Sequence, residues 1–445
     1  MYPDEPAIGI GSMFTPALYV KDQTNVQHIL QTDFNSFNHR GIEVNECDIL
    51  ANNILFLNGN KWKLLRQSMN PLFTSSKLNS MYYIIDRSAQ DFVEFLNKQP
   101  EKLKGDMFTI LCTFSSAAVG AAVFGIGNES IFDSPYHAIA QNAMKSSTSQ
   151  NIKFVMLYLC RPLYKFMGIN IFKDHEKLFI GAVKQVIRQR EQENTKSHDR
   201  SRLERHDFVD LCINIQNNGV LKDPDNGLEI YPTDEVLAAQ AFFFFIAGVQ
   251  PSAFAMFSTL VELGRNSYDL KRVHDEIDKT FEKHNTITVD TLQEMKYLDM
   301  SLNEAMRIHP AVGYLTRECV RDTVLPVGNI KVNKGTKIFS PIYEYHHDPN
   351  IFPNPKVFKP ERFSRENRST LPNNVFMPFG KGNRLCIGNR YATLQVKSGL
   401  VHLLRRFSVK TYMDGDEIKY SKHHTNVVPS NINFEFIPRN MKSTV

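Results

Sequence analysis

Mainly α-helical with a smaller β portion is the architecture that this 445-residue sequence predicts, on three observations. Residues 40–320 carry apolar positions at helical spacing between charged connections. Residues 312–345 change to short β-rich runs, TVLPVGNIKV and GTKIFSPIY, punctuated by Gly328 and Gly335. A last β-like segment follows at 427–437. With 42% apolar and 22% charged residues the chain is globular and not disordered. A net charge of +5 without any dense lysine/arginine block argues against nucleic-acid binding. The six cysteines lie 48 or more residues apart and form no CxxC pair, which suits a reducing compartment and argues against a disulfide scaffold. Residues 1–40 hold no apolar run of 18 or more.

Taken in order, GNKWKLLRQSMNPLF (59–73) predicts a helix with Trp62 and Arg66 one turn apart on one face, where indole N–H and guanidinium can meet the same carboxylate. RQREQENTKSHDRSRLERHD (188–207) reads as a solvated loop before a helix that starts at DFVDLCINI (207–215). AAQAFFFFIAGVQPSAFAMFSTLVEL (238–263) is uniformly apolar, the mark of a core helix, and reads as too short and too interrupted to span a membrane. Pro251 has no N–H to pair the Ala247 carbonyl, so a kink is expected there. One or two rings of the run Phe242–Phe245 are expected to face a pocket and the others to pack inside. In LNEAMRIHP (302–310), Glu304 and Arg307 share one face of a helix that Pro310 ends. Extended, proline-rich chain follows, including NPKVFKPERF (354–363). The adjacent His346 and His347 sit in a turn and make a poor metal site.

The most informative stretch is FMPFGKGNRLCIGNRYA (376–392), with Phe379, Gly382, Arg384, Cys386 and Gly388. Cys386 has no second sulfur or histidine near it in sequence to complete a zinc site or a local disulfide. Helical spacing from Asn389 to Leu403 places Cys386 just before a helix N-terminus, whose amides favour a charged sulfur. Gly382 and Gly388 permit tight turns and a close approach to a flat group. A lone, buried thiolate held by amides suits the axial ligand of a heme iron.

On these motifs, in this order along the chain, the sequence resembles the cytochrome P450 family. The resemblance implies that fold, without its N-terminal anchor and first helix, and a single catalytic domain over 1–445. It implies heme b with Cys386 as the iron ligand, and Trp62, Arg66, Arg317, Phe379, Arg384, Gly388, Ala247 and Gly248 as cofactor contacts. Glu304, Arg307 and Arg362 would form a charge triad on the cysteine side of the heme. The implied activity is a monooxygenase that inserts one oxygen atom from O2 into a lipophilic small molecule. NADPH electrons would arrive through a flavoprotein reductase, met by Lys381 and Arg390, with cytochrome b5 as a further donor. RHDFVDL (205–211) and YPTDEVLAAQ (231–240) are similar to insect microsomal members, which implies the cytoplasmic face of the endoplasmic reticulum membrane. YPDEPAIGIGSMFTPALYVKD resembles a point well inside the fold, so an anchor, hinge and first helix of roughly 60 residues, a membrane helix alone taking ~20, are expected before Met1.

One segment departs from the family pattern. Ala247-Gly248-Val249-Gln250-Pro251-Ser252 carries Gln250 where an acid is usual and Pro251 where a threonine is usual. Cleaving dioxygen needs two protons, which an acid–alcohol pair organises. Gln250 orients water without ionising, so Ser252, or water on the Ala247 carbonyl, is expected to take over part of that task. A heme-thiolate isomerase or dehydratase acting on peroxides would not need the pair, and a non-catalytic heme- or ligand-binding relative is the third reading. The regular loop at 379–388 favours the monooxygenase.

Overall fold

The computed structural model describes residues 5–12, 15–124, 152–153, 155–157, 161–196, 207–415, 417–420 and 429–440. It is mainly helical with small sheets, as the sequence predicts. The core is built around one helix, Asp234–Arg265, capped by the Thr233 hydroxyl, which accepts from the Val236 amide. Helices Met107–Phe124, Lys173–Lys196, Lys296–Ile308 and Asn389–Arg406 pack round it. This helix has 32 residues, so the reading of it as too short for a membrane span is corrected. What makes it a core helix is its packing: the rings of Phe242 and Phe245 meet Phe179, and those of Phe254 and Phe257 meet Phe108, in edge-on or tilted contacts. Helical assignment runs unbroken through Pro251, so the expected kink does not interrupt the helix.

Beside the helical core stands a four-stranded sheet in the order Ala7–Ser12, Thr15–Val20, Lys337–Pro341, Tyr314–Glu318. Thr15–Val20 and Lys337–Pro341 pair in parallel and the other neighbours antiparallel, so the first two strands share a sheet with strands roughly 300 residues later in the chain. An isolated bridge, His39 to Glu318, extends this closure and lays residue 40 beside Arg317. Phe407–Met413 and Ile432–Pro438 make a separate antiparallel pair.

Two further expectations are corrected. Residues 188–196 belong to the helix Lys173–Lys196 and not to a loop; residues 197–206 lie outside the described residues. Arg190 is 3% exposed because it bonds Asp207 at 3.0 Å and Asp210 at 2.7 Å, and Asp207 in turn caps the helix Phe208–Asn217. His346 and His347 close a short helix, Tyr343–His347. There His346 is buried, faces the Arg307 carbonyl through Nδ1 and accepts the Met377 amide at Nε2. Burial, then the Arg307 charge, pushes its pKa down to about 3, so it is a neutral strut between two segments.

Candidate active site around Cys386

The loop before Cys386 is closed by its own backbone. The Cys386 amide donates to the Phe379 carbonyl at 3.0 Å and the Leu385 amide to the Gly382 carbonyl at 2.9 Å. Gly382 has φ +74°, and a Cβ there would overlap the Leu30 carbonyl oxygen, so no other residue fits. Gly388 is different: it caps the helix Asn389–Arg406 at φ −90°, and a Cβ would make ordinary contact with Phe73.

Cys386 presents accessible surface, yet it is ringed densely enough that burial pushes its thiol pKa up. Both hold for a sulfur lining a concavity. The Gly388 amide donated to it and the charges of Arg66 and Arg40 act in the opposite direction. The Gly388 amide thus favours the charged sulfur, while burial outweighs it and keeps the thiol pKa raised in the heme-free fold. A cation at the sulfur would favour ionisation, and metal binding would release the proton.

Four guanidiniums gather near one another, and two of them, Arg66 and Arg40, act directly on this sulfur. Arg66 donates through Nη2 to the Leu385 carbonyl at 2.9 Å. Arg384, 3% exposed, donates to the carbonyls of Asn38 and Leu57 and lies 4.1 Å over the Trp62 ring. Trp62 is thus a buried cation–π platform for Arg384, while Arg66 turns to the cysteine loop. Arg317 is 1% exposed in the strand Tyr314–Glu318. Burial, then the charge of Arg40, lowers Arg317 to about 9; burial, then Arg40, Arg317 and Arg66, lowers Arg384 to about 8. Guanidinium basicity still keeps both charged at neutral pH. Arg317 Nε and Arg384 Nη1 are buried and hydrogen-bond no group among the described residues. One sulfur and a set of crowded cations with spare donors fit a heme: Cys386 for the iron, the guanidiniums for the two propionates. Arg40 was missed in the sequence because it belongs to no motif; strand pairing at His39–Glu318 brings it here.

Glu304, Arg307 and Arg362 meet. Arg307 Nε and Nη2 hold the two Glu304 oxygens at 2.8 and 2.9 Å, and Arg362 Nε reaches Oε1 at 3.2 Å. Arg307 also donates to the carbonyls of His346 and Pro355, so this cluster braces the chain that leads to the cysteine loop.

On the central helix, Phe243, Ala247, Gln250 and Pro251 form a partly accessible stripe at helical spacing. Gly248 is turned elsewhere: a Cβ on it would sit 3.0 Å from Val119, so its smallness serves helix packing. Ser252 is 4% exposed and lies about 140° round the helix from Ala247. It is not on the accessible stripe. Of the four phenylalanines, Phe242, Phe244 and Phe245 are buried in aromatic contacts with Phe172, Phe73 and Phe124, which leaves Phe243 facing outward.

A protein-family model for cytochrome P450 matches residues 5–436. The chain is 31% identical to "Probable cytochrome P450 6d4" of Drosophila melanogaster, over 96% of this chain and 84% of that protein. It is 31% identical to "Cytochrome P450 6B2" of Helicoverpa armigera (94% and 82%) and 30% identical to "Cytochrome P450 6d1" of Musca domestica (96% and 86%). With that match over nearly its whole length, the chain belongs to the cytochrome P450 family, and at that level is a heme-thiolate monooxygenase.

Proposed function

We propose that this chain, acting as one catalytic domain, inserts one oxygen atom from O2 into a lipophilic small molecule, with electrons passed from NADPH by a flavoprotein reductase and cytochrome b5 as a second donor. The observation that carries the reading is the cation cluster beside Cys386, with its buried unpaired donors at Arg317 and Arg384. When bound, heme supplies the redox chemistry of oxygen activation. The protein's own residues hold it and manage water. Cys386 gives the sulfur; Arg40, Arg66, Arg317 and Arg384 neutralise the propionates; Trp62 and Phe379 pack beside them. The Phe243–Ala247–Gln250 stripe forms the opposite wall, where Phe243 favours apolar substrates. Gln250 orients water there through its amide. Exposed Arg390 and half-buried Lys381 offer positive charge to an acidic reductase face. The proposed location is the cytoplasmic face of the endoplasmic reticulum membrane.

The test compares carbon monoxide spectra after chemical reduction and after reduction by NADPH with a microsomal reductase. A thiolate-type band under both conditions is expected. A band with chemical reductant alone would refute the reductase-fed reading and favour chemistry on peroxides.

A further inference from the structure

Three helices meet behind the accessible stripe, and their junction is polar. Helix Met107–Phe124 runs antiparallel to the central helix, with Val119 against Gly248 and Phe108 against Phe254 and Phe257. One turn along each from the Val119–Gly248 contact stand Ser115 and Ser252, on the faces that the two antiparallel helices turn toward each other. The Cys386 helix joins them: Tyr391 Oη donates to the Ala118 carbonyl at 3.2 Å, and Gly399 packs on Phe114 and Met256. Gln395 lies midway between Tyr391 and Gly399 on the same face. Gln395 and Ser115 are both 0% exposed, and neither Gln395 amide atom nor the Ser115 hydroxyl has a hydrogen-bond partner among the described residues. Each such group left dry is destabilising. Ordered water with two to four polar partners is the usual remedy.

One turn beyond Gln395 a hydrogen-bonded path leads outward, beginning at Ser398. Ser398, three residues on and fully buried, bonds Tyr82 Oη at 3.3 Å. Tyr82 Oη bonds Asp86 Oδ1 at 3.3 Å, and Asp86 is held by His402 at 2.7 Å; these last two side chains are 15% and 12% exposed. At the inner end Ser252 adjoins Pro251, whose missing N–H leaves a gap in the helix ladder at the Ala247 carbonyl.

We propose that Asp86, Tyr82, Ser398, Ser115 and Ser252, linked by water that Gln395 orients, form a buried proton relay entering the active site through the gap at Pro251. Each hydroxyl or water accepts one proton and passes on another, so one proton moves inward for each taken from solvent at Asp86. Gln395 holds water and transfers nothing. The relay gives Ser252 a part in proton supply from behind the helix, and it rests on the monooxygenase reading.

Tyr82→Phe removes one relay hydroxyl at nearly constant volume. The variant and the unaltered protein are compared with reductase, NADPH and 7-ethoxycoumarin as a lipophilic probe, reading product per NADPH consumed. The carbon monoxide band shows whether heme content is equal. Coupling is expected to fall at least ~threefold, short of the ~10²-fold of a direct general acid, with the band unchanged. A crystal structure of the unaltered protein is expected to show ordered water within hydrogen-bond reach of the Gln395 amide and Ser115. Unchanged coupling, or a dry junction, overturns the relay. Should the unaltered protein give no product, the monooxygenase reading fails on that probe, and the crystallographic water alone decides the relay.

Discussion

Replacing Arg307 by leucine tests how much of the fold depends on the buried charge cluster. Arg307 is 0% exposed and spends its guanidinium on four acceptors: both Glu304 oxygens and the carbonyls of His346 and Pro355. Arg307→Leu leaves the Glu304 carboxylate with Arg362 at 3.2 Å and the Lys359 amide at 3.0 Å. Removing one partner of a buried pair costs about 3–5 kcal/mol; the surviving contacts favour the lower end. Two carbonyls lose their donor at about 1–3 kcal/mol each. A loss of at least ~5 kcal/mol follows, comparable with the whole stability of many domains. The expectation is a protein that does not accumulate in folded form. Arg307→Lys keeps the charge but not the fork, and should fold with reduced stability. Glu304→Leu combined with Arg307→Met removes both charges, so it should recover part of the loss. Urea unfolding followed by far-ultraviolet circular dichroism measures all three. Arg307→Leu within about 1 kcal/mol of the unaltered protein would refute the reasoning, because surface pairs cost no more than that.

Gly382→Ala should lower the melting temperature and heme content together, since left-handed backbone alone costs roughly 1–2 kcal/mol for a Cβ-bearing residue before the overlap with Leu30. An unchanged melting curve would mean that the loop has another conformation. Arg317→Met should stabilise the heme-free protein, by deleting a buried cation without a carboxylate partner, while weakening heme retention; melting temperatures measured with and without heme should move in opposite directions. Because burial raises the Cys386 pKa, the folded heme-free protein holds this proton more tightly than the unfolded chain. Its contribution to stability is therefore fully present below the unfolded thiol value of about 8.5 and is lost as pH rises toward the folded value. Heme uptake should accordingly release one proton near neutral pH, read as acidification on mixing in weak buffer; no release would mean that Cys386 binds as a thiol or not at all.

What the sequence made legible is what short spacing controls. Glu304 and Arg307 are three apart on one helix, and helical spacing after Cys386 placed the sulfur before a helix start. Arg40 depends instead on a strand contact between His39 and Glu318, which no local pattern announces. The helix from Lys173 continues through a charge-rich stretch that reads as loop, because Arg190, the buried charge among its described residues, is satisfied by Asp207 and Asp210 from beyond the next connection. Ser252 shows the subtler failure. Reading along the motif put it beside Gln250 as a substitute alcohol on the oxygen side, since the two are close in sequence. Helical phase separates them by about 160°, and the burial of Ser252 agrees with that phase. Any proton it carries must come through the helix and not across the pocket. Proline at 251 leaves the Ala247 carbonyl without its ladder donor, and on the proposed relay that carbonyl is where water would be held.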